Sequence, residues 1–359
     1  MKKSISRRHF LRVTGTGLAG AALLGAAGCG QEVGGGGGGQ QGSTEYLVEA
    51  KDGPYLIGLT NGFLGNSWRT QMVAEIEYAA QQRSDEIKDL IVTNADNDVA
   101  TQNSLIGNLV SRGVDILLID AVSASAQNGA LRRAYQQGVL VVSYDTLVSS
   151  PHAILVNTDQ RKFGEIGGKW LAEQMGGKGQ IFALNGLSGS VVNEQRWGAA
   201  KKVLEDAGIE IVGQANADWD QAKGRAAAAD LLTAHPDVTG IYSQGGAMTL
   251  GALQELQARG KELIPIPGEG YNGLLKAWQE LKQSEGWSSI APSHPPTISV
   301  SALDVALKAI KGEKLDRKQV VDLPIITQGN LGKFVRPDFP DSLWLPTDLP
   351  ESDLEKLFG

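Results

Sequence analysis

From Tyr55 onward the chain alternates short apolar runs with stretches of helical apolar period, and few architectures accommodate that pattern. The runs are Tyr55–Asn61, Ile87–Ala95, Ile116–Asp120, Val139–Asp145, Ala153–Asp159, Gln180–Gly186, Ile209–Ala217, Gly240–Gly245, Ile264–Gly270 and Ser289–Ser293. Each is rich in β-favouring types and ends near Gly, Asn, Asp or Ser, as buried parallel strands do. Between them, sets such as Leu105/Ile106/Leu109/Val110, Val203/Leu204/Ala207 and Leu303/Leu307/Ile310 recur at helical spacing. Strand and helix in regular alternation imply parallel sheets covered by helices on both faces. The runs are too numerous for one comfortable open sheet. The pattern therefore predicts an α/β fold of two doubly wound, Rossmann-like domains with parallel sheets.

The expected divisions are residues 54–160 with 295–322 for the first domain and 161–294 for the second. Crossings are expected near Thr158–Gly164, Ala291–Pro296 and Val320–Pro324. Residues 323–359 carry Pro324, Pro337, Pro340, Pro346 and Pro350. Proline resists helix and central strand alike. An extended arm across the body is expected there, anchored by Leu331, Phe334, Phe339, Leu343 and Trp344.

The N-terminus reads as an address, residues 1–29. Lys2, Lys3, Arg7 and Arg8 precede an apolar run, Val13 to Gly28, that is shorter than the roughly 20 residues a membrane span needs. A secretory signal fits better. Ser6-Arg7-Arg8-His9-Phe10-Leu11-Arg12 resembles the twin-arginine export signal, carried by Arg7 and Arg8. Cys29 is the single cysteine, so no internal disulfide exists. Its context, Ala26-Ala27-Gly28-Cys29, resembles a bacterial lipobox with alanine in place of the usual leucine. That resemblance implies diacylation of Cys29 and a membrane anchor on the periplasmic or outer face. A tether is expected over 30–53, glycine-rich through residue 44. An unanchored flexible N-terminus is the alternative.

In doubly wound sheets ligands bind beyond the carboxyl ends of the strands. Those positions hold Asn61 to Arg69, Asp120, Asp145-Thr146, Asn157 to Asp159, Asn185 to Arg196, Ala217 to Asp220, Ser243 to Gly246 and Glu269 to Asn272. Bidentate hydrogen bonds from such side chains grip vicinal hydroxyls, and an aromatic face stacks on a sugar's C–H patch. The net charge of −7 with no basic stripe argues against nucleic acid.

Here the chain resembles the periplasmic ribose/galactose-type, or type I, solute-binding proteins. The likeness runs from about Tyr55 to Glu313. Its most specific stretches are Ala217-Asp218-Trp219-Asp220-Gln221-Ala222-Lys223-Gly224, then Leu231 to Val238 with its His235-Pro236-Asp237 turn, then Ile241 through Gly251-Ala252-Leu253. The resemblance implies two such domains joined by a multi-strand hinge with a ligand cleft between them, in a non-enzymatic binding protein that closes on its ligand and hands it to an ABC permease and ATPase, with no cofactor or metal. Carried over position by position, it places ligand contacts at Asn66, Trp68, Asp145, Arg196, Trp219 and Glu269. An arginine usual in the family is Thr146 here, and Arg69 is a candidate replacement. An asparagine or aspartate usual in the family is Gly245, with Gln244 as its substitute. A late glutamine is replaced within Ser293-His294-Pro295-Pro296-Thr297. Glu269 in place of an aspartate pushes a carboxylate farther into the cleft and Gly245 empties space, which together imply a ligand of different outline. Other readings stay open: Trp68 and Trp219 as core aromatics, Asn66 and Asp145 as helix caps, Arg69 as a surface residue, and Arg196 paired with Glu194.

Other classes fit less well. The sequence has no G-x-S-x-G, no H-E-x-x-H and no clustered His/Cys spacing, and its four histidines are scattered. Asp145 and Glu269 can pose as a glycosidase pair, although binding proteins place acids there too. The signal and tether occupy the place of a regulator's helix-turn-helix. A sensor presenting the same complex to a receptor kinase or chemoreceptor remains the alternative.

Overall fold

The computed structural model describes residues 45–358, so Arg7, Arg8 and Cys29 lie outside the described residues. The first part alternates strand and helix as β1 (Tyr55–Asn61), α1 (Ser67–Gln81), β2 (Ile87–Asn94), α2 (Val99–Ser111), β3 (Ile116–Ile119), α3 (Asn128–Gln136), β4 (Leu140–Tyr144), β5 (Ile154–Thr158) and α4 (Gln160–Gln174). The second continues with β6 (Gln180–Asn185), α5 (Val191–Asp206), β7 (Glu210–Asn216), α6 (Gln221–Ala234), β8 (Gly240–Ser243), α7 (Gly246–Ala258) and α8 (Asn272–Ser284). Then come β9 (Ala291–Pro292), α9 (Ile298–Ile310), β10 (Lys318–Val321), β11 (Ile325–Ile326) and α10 (Glu351–Phe358).

One sheet has six parallel strands in the order β2-β1-β3-β4-β5-β10. A second has three parallel strands ordered β7-β6-β8. The second repeats the first three places of the first sheet, which is the doubly wound plan executed twice. Every residue of β3 and β4 is buried, as continuous apolar runs covered on both faces require. Helix starts follow the local chemistry. Asp98, Asp159 and Asp220 each accept a first-turn backbone N–H of α2, α4 and α6.

Ile264–Gly270, expected as a strand, joins no ladder. The segment does run beside β8, where the Pro265 carbonyl accepts the Ile241 amide at 3.1 Å. Pro265 and Pro267, however, have no N–H to donate, so regular pairing cannot form. Side chains replace the missing ladder: Trp287 Nε1 donates to the Ile264 carbonyl at 3.0 Å and Ser289 Oγ to the Ile266 carbonyl at 2.7 Å. Residues 45–53, expected within the tether, belong to the folded body. Tyr46 is buried and its hydroxyl donates to the Leu315 carbonyl, while Lys51 pairs with Asp115 at 3.0 Å.

The C-terminal arm runs through successive turns and a short 3-10 helix at Leu331–Lys333 rather than extended chain, and it is anchored by buried Leu331, Leu343 and Trp344. Its short strand β11 pairs antiparallel with β9. It also differs from the expectation in ending on a helix, α10, which begins directly after Pro350, where a proline is compatible with a helix start. The arm also buries a carboxylate. Glu75 on α1 is fully buried and accepts from Gln71 Nε2 at 3.2 Å, Thr347 Oγ1 at 2.5 Å and the Asp348 amide at 3.2 Å. Burial outweighs these hydrogen bonds and pushes its pKa up to about 7. The folded state therefore holds a proton that the unfolded chain releases near pH 4.5, and stability falls as pH rises from there to about 7. Chemical denaturation between pH 4.5 and 7.5 should show a loss on the order of 3 kcal/mol from this group, and Glu75→Gln should flatten that slope.

Candidate functional site

In the first sheet the winding direction reverses between β1 and β3, and a crevice opens beyond such a switch point. The residues that follow these strands meet there. Asn66 Oδ1 accepts the Arg69 amide at 2.9 Å and starts α1, while its own side chain is exposed. This is the capping reading. The turn aims Arg69 across the crevice, where its guanidinium pairs with Asp120 after β3, with Asp145 Oδ2 after β4 at 2.7 Å, and with Thr146 Oγ1 at 3.3 Å. Arg69 thus reaches the side chain that stands where the resemblance places an arginine. Asp145 has φ of 51°, an uncommon conformation for a non-glycine residue, and it caps no helix.

The second sheet repeats the arrangement. Arg196 on α5, after β6, is almost fully buried. It meets Glu269 through two nitrogens at 3.2 and 3.3 Å, rather than Glu194, and donates to Gln160 Oε1 at 2.7 Å and the Gln244 carbonyl at 2.9 Å. Its guanidinium also lies 3.7 Å from the centre of the Phe163 ring. Gln244, after β8, donates to Asn185 Oδ1 at 2.8 Å and Asn193 Oδ1 at 2.9 Å.

His294 joins the two sets. Its ring faces Asp145 Oδ1 through Nε2 at 2.9 Å and Thr158 Oγ1 through Nδ1 at 2.8 Å, and its backbone N–H donates to Glu269 Oε1 at 3.1 Å. Its carbonyl accepts Trp68 Nε1 at 2.9 Å, and the two rings stack at 5.2 Å. Trp68 is therefore engaged as a packed aromatic against His294. Sequence reasoning did not assign His294, although it flagged the His294 stretch as the place of a replaced glutamine. It noted Asp120 at the rim without giving it a role.

Burial pushes the Asp120 carboxyl up, against the pull of Arg69 and with the repulsion of Asp145. The same burial acts on Asp145, but Arg69 and the His294 ring outweigh it and hold that carboxyl well below the usual range. Burial likewise raises the Tyr144 and Tyr242 hydroxyls, which have no hydrogen-bond partner.

Trp219 sits with Asp218 in consecutive left-handed conformations, φ of 57° and 53°. Its ring is pressed against Gly186 and Gly245. A Cβ at Gly186 would overlap it, and one at Gly245 would lie 2.8 Å from Cδ1. The glycine expected to empty space is instead the seat of the Trp219 ring. Trp219 Nε1 and Gln244 Oε1 are buried and without a hydrogen-bond partner.

With this geometry in view, the comparisons decide the family. Residues 57–314 match the periplasmic binding protein domain. The chain belongs to that family. It is 28% identical over 275 residues, 76% of this chain and 88% of the other, to the ribose import binding protein of Bacillus subtilis. It is 27% identical to the xylitol-binding protein of Mycolicibacterium smegmatis, covering 68% of this chain and 70% of that one. A periplasmic solute-binding protein of an ABC transporter from Actinobacillus succinogenes, solved with bound D-allose, superposes with a TM-score of 0.67 at 25% identity. That match covers 78% of this chain and all of the other.

Two outcomes are expected of substitutions here. Arg196→Met leaves Glu269 buried and unpaired and should lower unfolding free energy by about 3–5 kcal/mol in urea titrations. Gly245→Ala should displace the Trp219 ring and shift the tryptophan emission, and the shift should be absent in a Trp219→Phe background.

Proposed function

We propose that this periplasmic binding protein captures a small sugar or sugar-like polyol in the crevice between its two parallel sheets and delivers it to an ABC importer. The observation that carries the reading is the pairing of guanidinium with carboxylate beyond the strand ends of both sheets, Arg69 with Asp120 and Asp145, and Arg196 with Glu269. Planar groups held this way present fixed donors and acceptors to vicinal hydroxyls. Because each guanidinium is already neutralised, an uncharged ligand fits better than an acid or a phosphate. The relatives that bind ribose, xylitol and D-allose support the same class.

Arg69, Asp145, Arg196, Trp219, Gln244 and Glu269 serve as ligand contacts, with Trp219 as the stacking ring. Asn66 and Trp68 support them, Asn66 by starting α1 and Trp68 by packing on His294. Binding closes a hinge between residues 54–160 with 295–322 and residues 161–294, shifting the population toward the closed form. The ligand is held and released unchanged. The twin-arginine signal and Cys29 export the chain and anchor it by lipid, with the early glycine-rich residues as tether.

A thermal-shift screen of residues 45–359 against pentoses, hexoses, inositols, other polyols, nucleosides and amino acids tests this. At a free concentration near 100 times Kd the bound sugar adds about 2.7 kcal/mol, a rise of several degrees. The rise should disappear in Trp219→Ala and Asp145→Ala. A rise with a nucleoside or amino acid and with no sugar or polyol would overturn the ligand class.

A further inference from the structure

The C-terminal arm does more than cover the body. Between Asp341 and Asp348 it is hydrogen-bonded to two elements that carry or adjoin the proposed ligand contacts. One is α1, which begins at Ser67 and carries Trp68 and Arg69 in its first turn. The other is the segment 270–273, which follows Glu269 directly and runs into the start of α8.

Trp344 lies between them. Toward α1, Gln71 grips its backbone from both ends, Nε2 donating to the Trp344 carbonyl at 2.9 Å and Oε1 accepting the Trp344 amide at 2.9 Å. The indole Nε1 donates to Ser67 Oγ at 2.9 Å. A turn further along α1, Glu75 holds Thr347 and Asp348. Toward that segment, the Leu345 amide donates to the Gly270 carbonyl at 2.7 Å, the Asn272 amide to the Leu343 carbonyl at 2.8 Å and the Gly273 amide to the Asp341 carbonyl at 3.1 Å. The Trp344 and Tyr271 rings meet edge to face at 5.1 Å. Gln71 is fully buried and Trp344 is 6% exposed, so water does not compete for these bonds.

We propose that Gln71 and Trp344 are positioning residues for ligand capture, through which the arm clasps the Trp68–Arg69 end of α1 to the segment that follows Glu269. The proposal rests on the crevice being the binding site. Neither residue touches the groups offered to the ligand. A rotation of one sheet against the other changes the separation of α1 from the segment 270–273. The Gln71–Trp344 pair must then break, or the arm must leave the segment. The arm thereby limits how far the crevice opens without ligand, and it resists release once ligand is bound.

The test needs no ligand in its first part. Cys29 is the single cysteine, so Cys29→Ser with Asn108→Cys on α2 and Ala226→Cys on α6, both exposed positions, gives one spin-label pair across the two sheets. Pulsed electron paramagnetic resonance should show a narrow distance distribution in this parent. Gln71→Ala should give a broader distribution extending to longer distances. Ser67→Ala, which removes only the indole's partner, should give a smaller change in the same direction and serves if Gln71→Ala does not fold. With whichever sugar or polyol the screen identifies, dissociation from Gln71→Ala should accelerate about fivefold or more while association stays within about twofold, the mark of a change in closure rather than in contacts. An unchanged distance distribution in folded Gln71→Ala, or in Ser67→Ala where the former does not fold, overturns the clasp. A changed distribution in a protein that binds no sugar upholds the clasp and removes only the sugar reading.

Discussion

Buried charge is the constraint on which the rest of this structure depends. Two guanidiniums and three carboxylates, Arg69, Arg196, Asp120, Asp145 and Glu269, are withdrawn from water at the ends of strands in two separate sheets. Removing such groups from solvent is expensive unless each is paired and hydrogen-bonded. Here the pairing is met by residues distant in sequence, so the loops after β1, β3 and β4 must converge, and those after β6 and β8 likewise. The imidazole and backbone of His294 then tie the two sets together. Packing against Trp68 and Phe163 screens both guanidiniums from water, which strengthens every remaining electrostatic contact.

The topology makes this convergence economical. A sheet ordered β2-β1-β3 and one ordered β7-β6-β8 place their switch points at equivalent strands. Arg69 and Arg196 both lie after the first strand of their sheet, on the helix that follows it. Each crosses to an acid carried by a later segment. The same residue chemistry appears twice because the same local geometry appears twice.

Much of this was legible in the sequence. The strand runs were marked by their greasy, β-branched character, and eight of the expected runs form parallel strands with bounds close to those expected, while Ser289–Ser293 keeps only the two residues of β9, paired antiparallel with β11. Ile264–Gly270 misled because its apolar content masks two prolines that remove the donors a ladder requires. The polar rim was visible as residue types after strands, and Arg69, Asp145, Arg196 and Glu269 do come together. Their partners were not visible, because which acid an arginine meets depends on the register of distant elements. His294 was hidden for that reason: it stands in an irregular Pro-flanked stretch with no period to place it. The role of Gly245 was read backwards, since a missing side chain says nothing about which neighbour fills the space.

Pro265 and Pro267 leave Glu269 at the end of a rail with no ladder beneath it. Elsewhere in the crevice a strand's hydrogen bonds fix where the following side chain stands. On this wall the backbone is held by isolated bonds, Ile241 to the Pro265 carbonyl and Gly268 to the Ile290 carbonyl, and by the side chains of Trp287, Ser289 and Thr249, while the Glu269 carboxylate is located by Arg196 and the His294 amide. The placement of the Glu269 carboxylate is therefore set by its electrostatic partners more than by a regular pleat. A guest that competes for the Arg196 guanidinium does more than fill a space: it redraws the boundary of the space it fills.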